Sequence, residues 1–105
     1  MAENNLQGKK ITYTLRLAKQ LHEAINYLYD NYAPTQAKIM GEQFFAAVRL
    51  LEKAPWIGIP HKDGMRNIKL GKFPYNIYYR EKETKIEILG IWHTSRGTEF
   101  EDNED

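Results

Sequence analysis

The 105-residue sequence contains no cysteine, so it can form neither a disulfide nor a thiolate metal site. It has no apolar run of about 18 residues that would span a membrane, and the N-terminal MAENNLQGKK lacks the apolar centre of a signal peptide. Its three histidines show no metal-ligand spacing, and neither a nucleophile elbow nor a phosphate-binding glycine loop is present. These absences predict a cytoplasmic protein with no metal, no cofactor and no membrane partner.

Acidic residues are concentrated at the C-terminus, where EFEDNED (residues 99–105) contains five acids and no base. The remaining 98 residues contain fifteen bases and nine acids, a formal charge of +6. A basic body with an acidic tail favours an anionic partner, either a nucleic acid or an acidic protein. An ordinary solvated surface with a frayed acidic end explains the same charges equally well.

Hydrophobic periodicity predicts one strand and two helices in the first half of the chain. Ile11, Tyr13, Leu15 and Leu17 alternate as in a half-buried strand. From Leu17 to Leu28 the apolar residues instead follow the spacing of a helix face. Pro34 begins a second helix that ends near Lys53, and the short connection makes the pair a helical hairpin.

The second half reads as a loop followed by three strands. APWIGIPHKDG, with two prolines and two glycines, is predicted to be the loop, and we expect Trp56 and Ile57 to anchor it in the core. RNIKL, FPYNIYYRE and KIEILGIWH follow with short connections, which favours an antiparallel meander.

The predicted fold is therefore α+β, in the order β-α-α-β-β-β, with the helical hairpin packed on one face of a twisted antiparallel sheet. We expect a flexible N-terminal extension at residues 1–10, one domain at 11–97 and a disordered acidic tail at 98–105.

Several side chains in the strand half are candidates for chemistry. A neutral imidazole such as that of His93 can act as general acid or base, although a structural histidine explains it more simply. The strand cations can form one phosphate-binding surface or be scattered solvated charges: Arg66, Lys69, Lys72, Arg80 and Arg96. Tyr75, Tyr78 and Tyr79 can stack on bases, but packing within the sheet is the favoured interpretation.

Taken in order, several segments resemble the RelE/ParE superfamily of type II toxin–antitoxin toxins. The resemblance covers residues 11–97 and depends on Tyr13, Leu15 and these segments: LHEAINYL, FFAAVRLLEKAPWIGIP, MRNIKLGKFPYNIYYR and IEILGIWHTSR. The long hairpin, the APWIGIP connection and the His-x-x-Arg ending are closer to the ParE branch.

This resemblance implies a bacterial toxin neutralised by a cognate antitoxin. A ParE-like toxin binds DNA gyrase and is not an enzyme, and its target-binding residues would be Arg66, Lys69, Arg80, His93 and Arg96. A RelE-like toxin instead cleaves messenger RNA on the ribosome, with Arg66 and Arg80 at the phosphate and His93 in proton transfer. Arg96 is the fourth candidate catalytic residue under this alternative. A non-toxic binding module derived from the family is the third possibility.

Three departures from the family pattern bear on the target: Gln20 and Gly97 replace common acids, and the chain ends in EFEDNED. For the antitoxin, the resemblance implies a binding segment that covers the hairpin. Because the hairpin has more large apolar residues than one stripe can bury, we expect Tyr29, Tyr32 and Phe45 to contact an amphipathic antitoxin segment.

Overall fold

The computed structural model describes residues 9–97 and 99–102. In these residues the helices are α1 (Leu15–Asn31) and α2 (Pro34–Lys53), and the strands are β1 (Lys10–Tyr13), β2 (Ile59–Pro60), β3 (Met65–Lys69), β4 (Tyr75–Glu81) and β5 (Lys85–His93). Short 3-10 turns occupy Pro55–Ile57, Lys62–Gly64 and Thr94–Arg96. Across this part of the chain, neither helix is both long and apolar enough to cross a membrane.

The five strands form one sheet in the order β1-β5-β4-β3-β2. The predicted α+β fold and its order of main elements are confirmed, but the sheet is mixed because β1 runs parallel to β5. These two strands are far apart in the sequence and no tight turn joins them, so the local sequence does not determine whether they pair in parallel or antiparallel. The two-residue β2 was not predicted; it contains Pro60, which an edge strand tolerates.

The strand-to-helix transition comes earlier than the apolar alternation predicts. Thr14 caps α1: its side chain accepts a hydrogen bond from Leu17 N and donates one to the Leu89 carbonyl on β5. Leu15 is consequently an exposed first helical residue, whereas Leu17 is buried on the helix. The apolar pattern alone cannot show whether residues 15–17 continue the strand or begin the helix, because Leu17 fits the two-residue period of a strand and the 3.6-residue period of a helix.

The helical hairpin covers one face of the sheet and forms the main core with it. Phe44 and Met40 of α2 are fully buried there, as are Ile77 and Tyr79 of β4. At Gly41 an added methyl group would lie 4.0 Å from Ile25 Cδ1, an ordinary contact, so the helix crossing does not require glycine.

The opposite side of the sheet, here called the open face, has a smaller core of its own. Met65, Tyr78 and Leu89 are buried on it, and Phe100 packs against them with no exposed surface. Residues 99–102, here called the C-terminal strap, therefore lie on the open face, with Phe100 in its core. The rest of the predicted tail, 98 and 103–105, and residues 1–8 of the N-terminal extension lie outside the described residues.

Tyr79, and not Trp56 or Ile57, holds the loop after α2. The Tyr79 hydroxyl donates to the Pro55 carbonyl at 2.7 Å and accepts from Gly58 N at 2.9 Å. Trp56 is 65% exposed and Ile57 40% exposed, so the predicted anchoring by these two residues is wrong. The loop is fixed by buried hydrogen bonds because the 3-10 turn directs Trp56 outward while burying Pro55.

Replacing Tyr79 with phenylalanine should lower the free energy of unfolding by about 1–3 kcal/mol, because two buried backbone groups lose their partner. Urea unfolding followed by circular dichroism measures this loss. Tyr29→Phe, at a tyrosine that is 58% exposed, is the matched control and should change stability by less than about 0.5 kcal/mol. Equal stabilities of the two variants would contradict the role of Tyr79.

Candidate functional site

The two arginines of the proposed phosphate site point to opposite faces of the sheet. Arg66 lies opposite Tyr79 in the β3–β4 register, on the hairpin side, and its Nη1 donates to the Gly58 carbonyl at 2.8 Å. Arg80 lies on the open face, where its Nη1 donates to the Asp102 carboxylate at 2.7 Å. The two guanidinium groups therefore cannot grip one phosphate together.

The candidate lysines are also held locally. Lys69 Nζ donates to the Phe73 carbonyl at 2.9 Å, within the turn that follows β3. The backbone N–H of Lys72 donates to Gln43 Oε1 at 2.9 Å, and its ammonium lies 6.0 Å from the centre of the Phe73 ring. These contacts place both lysines at the β3–β4 turn, away from the strap.

His93 and Arg96 lie together at the end of β5, beside a hollow of about 250 Å³. His93 caps the following 3-10 turn: its Nδ1 accepts from Ser95 N at 3.1 Å, with Ser95 Oγ at 2.8 Å. The Arg96 guanidinium stacks on Trp92, 3.9 Å from the ring centre. Both side chains thus have defined roles at the strand end.

The geometry of His93 limits its use as a base. A backbone N–H can only donate, so Nδ1 is the acceptor and the neutral ring carries its proton on Nε2. That nitrogen offers a hydrogen-bond donor and has no free lone pair. In addition, His93 pairs with Tyr75, whereas Arg80 stands five residues further along β4, roughly 16 Å at 3.3 Å per residue.

The strand tyrosines are packing residues. Tyr78 and Tyr79 are buried on opposite faces, and burial raises the pKa of each phenol. Burial also raises the pKa of Tyr75, and nearby Tyr27 raises it further. Each phenol therefore keeps its proton at neutral pH, and Tyr78 and Tyr79 present no open ring face for a base to stack on.

An apolar surface is exposed on the helical hairpin. A hollow of about 330 Å³ lies between β1 and the helices, lined by Tyr13, Leu21, Ile25 and Phe45 among others. Phe45 is 51% exposed, and Tyr29 continues the α1 stripe one turn after Ile25. Tyr32, at the end of α1, is 69% exposed and packs edge-on against Tyr27.

Sequence reasoning missed the basic residues that surround the C-terminal strap. Arg16 comes from the first turn of α1, and His61 and Lys62 come from the loop before β3. Their contacts with residues 100 and 101 cross 39 to 85 positions of the chain. The available signal was Phe100 itself, a large apolar residue within an acidic segment.

Metal binding finds no support in the described ranges, 9–97 and 99–102, where no group of three histidine or carboxylate side chains is close enough to hold an ion.

The described residues form a two-helix hairpin on a mixed five-stranded sheet, with an apolar surface exposed on the hairpin. The sequence model described as the ParE toxin of the type II toxin–antitoxin system parDE matches residues 11–97. The chain belongs to this ParE toxin family.

A solved structure shares the fold. A chain from a chromosomal ParDE toxin–antitoxin system of P. aeruginosa superposes with a TM-score of 0.74 at 21% sequence identity, covering 83% of this chain and 97% of the matched one. No curated protein matches the chain by sequence. The structural likeness supports the fold, while family membership follows from the match over 11–97.

The tautomer of His93 is directly measurable. Long-range ¹H–¹⁵N NMR spectra of the neutral ring should show the proton on Nε2, since Nδ1 accepts from Ser95 N. Ser95→Ala retains that backbone donor and should show the same tautomer. A predominant Nδ1–H form would contradict this assignment, because Nε2 would then carry a lone pair and could act as a general base.

Proposed function

We propose that the protein is the toxin of a type II toxin–antitoxin pair, and that it arrests growth in the cytoplasm by binding DNA gyrase. The observation that carries the proposal is the ParE family match across residues 11–97. A cognate antitoxin neutralises the toxin by covering its surface.

The local geometry favours a binding function over ribosome-dependent cleavage of messenger RNA. Arg66 and Arg80 lie on opposite faces, and His93 presents a donor at the end of β5, opposite the start of β4. Phosphoryl chemistry on RNA needs a base and charge-stabilising donors around one phosphate. A toxin that acts by binding its target does not need these groups around one phosphate, and its target-binding residues can be spread over the surface.

Within this proposal, His93 and Arg96 contribute to the gyrase-binding surface. The Trp92 ring holds the Arg96 guanidinium and the Ser95 backbone holds the His93 ring, so both groups are preorganised at the sheet end. Arg66, Lys69 and Arg80 contribute through the electrostatic field, which speeds encounter with an anionic partner.

Purified protein should inhibit DNA supercoiling by gyrase at concentrations comparable to the enzyme and should trap cleavage complexes on the DNA. His93→Ala/Arg96→Ala should weaken inhibition at least tenfold, because the strand-end contacts are lost. Trp56→Ala, which truncates an aromatic ring that is 65% exposed, is the control and should inhibit normally. An unaffected gyrase at saturating protein would refute the gyrase target.

The two alternative functions give different results in cells. A ribosome-dependent nuclease would produce cuts at A-site codons in primer extension, and Arg66→Ala or His93→Ala would lower cutting by about 10²–10³. A non-toxic module would allow normal growth while folded protein accumulates without any antitoxin.

For the antitoxin, we propose docking of an amphipathic segment on the hairpin around Phe45. The hollow there has an almost wholly apolar lining, and the ring of Phe45 packs edge-on against buried Phe44, with centres 5.4 Å apart. An exposed aromatic held by the core makes a good anchor for a helix that inserts its own apolar side chains. Tyr29 and Tyr32 extend this surface towards the helical turn.

Phe45→Glu should weaken antitoxin binding at least tenfold, corresponding to about 1.4 kcal/mol, because a charge would be buried in an apolar contact. Isothermal titration calorimetry with the cognate antitoxin measures the change. Trp56→Glu introduces the same charge at a comparably exposed aromatic outside the hollow and should bind normally. Unchanged affinity in a folded Phe45→Glu protein would show that the antitoxin binds elsewhere.

A further inference from the structure

The C-terminal strap occupies a groove on the open face of the sheet. Phe100 stacks on Tyr78, with ring planes 10° apart and centres 4.4 Å apart, and meets Trp92 edge-on at 5.7 Å. The guanidinium of Arg16 lies 4.3 Å from the centre of the Phe100 ring. The buried phenyl ring is thus held by two aromatic rings and a cation.

Gly90 leaves room for this ring. A methyl group added there would come within 2.8 Å of both the Phe100 ring and Gln20 Oε1. Any side chain at position 90 would therefore displace Phe100 or break the hydrogen bond between Gln20 and Ile91 N. Because Gly90 has no side chain, the floor of the groove has space for the Phe100 ring.

The strap's polar groups are matched as well. Lys62 Nζ binds Glu101 Oε2 and Arg80 Nη1 binds Asp102 Oδ2, each at 2.7 Å. Arg16 donates to the Glu101 carbonyl at 2.6 Å, and His61 Nε2 lies 2.9 Å from the Phe100 carbonyl. The hydrogen bond with Glu101 raises the pKa of Lys62 and lowers that of the Glu101 carboxyl, so both groups favour their charged forms.

We propose that the open face is a docking groove for a short peptide segment with an aromatic residue followed by two acids, and that Phe100-Glu101-Asp102 occupies it in cis. A partner protein presenting an acidic segment of this chemistry must displace the strap before it can bind. The inference goes beyond the proposed function and does not depend on gyrase being the target.

A partner's segment can replace the strap because the groove is formed by the folded domain and not by the strap itself. Its walls come from α1, β4, β5 and the loop before β3, all of which lie within the domain matched at 11–97. The side chains of Lys62 and Glu101 are about half exposed, at 49% and 52%, so this ion pair contributes little on its own. Specificity comes from Phe100 together with the partly covered Arg80–Asp102 pair, whose side chains are 23% and 25% exposed.

The proposal is tested in the full-length chain with a fluorescein-labelled peptide of residues 97–105 as probe. The variant Phe100→Ser/Glu101→Lys/Asp102→Lys should vacate the groove and bind the probe, as measured by fluorescence anisotropy. The unmodified protein should bind it about tenfold more weakly if the strap segment binds with a Kd of about 0.1 mM, because the tethered strap competes at an effective concentration of about 1 mM. A probe with alanine in place of Phe100 should not bind the vacated groove.

A charge swap distinguishes specific binding in the groove from non-specific electrostatic attraction of the acidic probe to the basic protein. Adding Arg80→Asp to the vacated variant should weaken probe binding about fivefold, and a probe with arginine at position 102 should recover it. Should the triple variant unfold, Phe100→Ser alone, which keeps the strap charges, should still bind the probe more tightly than the unmodified protein. Equal binding by unmodified and vacated proteins, no binding up to 1 mM, or tighter binding of a single-stranded oligonucleotide than of the probe would overturn the proposal.

Discussion

The central sheet has apolar side chains on both faces, and the rest of the structure follows from the need to cover both. On β4, Ile77 and Tyr79 face the hairpin while Tyr78 faces the other way; on β5, Ile88 and Leu89 divide in the same manner. Two buried faces account for the near-continuous apolar runs in NIYY and ILGIW. The hairpin packs on one face and forms the main core with it, whereas the four described residues of the strap cover only part of the other.

This division gives the protein two surfaces with different chemistry. The hairpin side exposes an apolar hollow around Phe45, which suits an amphipathic segment. The open face combines aromatic rings with Arg16, Lys62 and Arg80, which suits an acidic segment with an aromatic anchor. His93 and Arg96 stand at the sheet end, where each is fixed by its own neighbour. Under the proposed binding function, all three regions can serve as contact surfaces.

Much of the fold could be predicted from the sequence because both helices have local signals. The stripe through Met40, Phe44 and Leu51 is buried as its spacing predicts, and Pro34 stands at the start of α2. The parallel pairing of β1 with β5 and the contacts of the strap depend on residues far apart in the chain, which periodicity does not report. The same limit applies to the candidate site: Arg66 and Arg80 share a sequence segment, but pleating and register direct them to opposite faces.

Solution NMR of the unmodified protein without any partner tests the two-faced sheet most directly. The account predicts nuclear Overhauser contacts between the ring protons of Phe100 and Tyr78, together with upfield-shifted Phe100 resonances from stacking at 4.4 Å. It also predicts protection of the Gly90 and Ile91 amides. Random-coil shifts and sharp lines for residues 99–102, with no contact to Tyr78, would contradict the account.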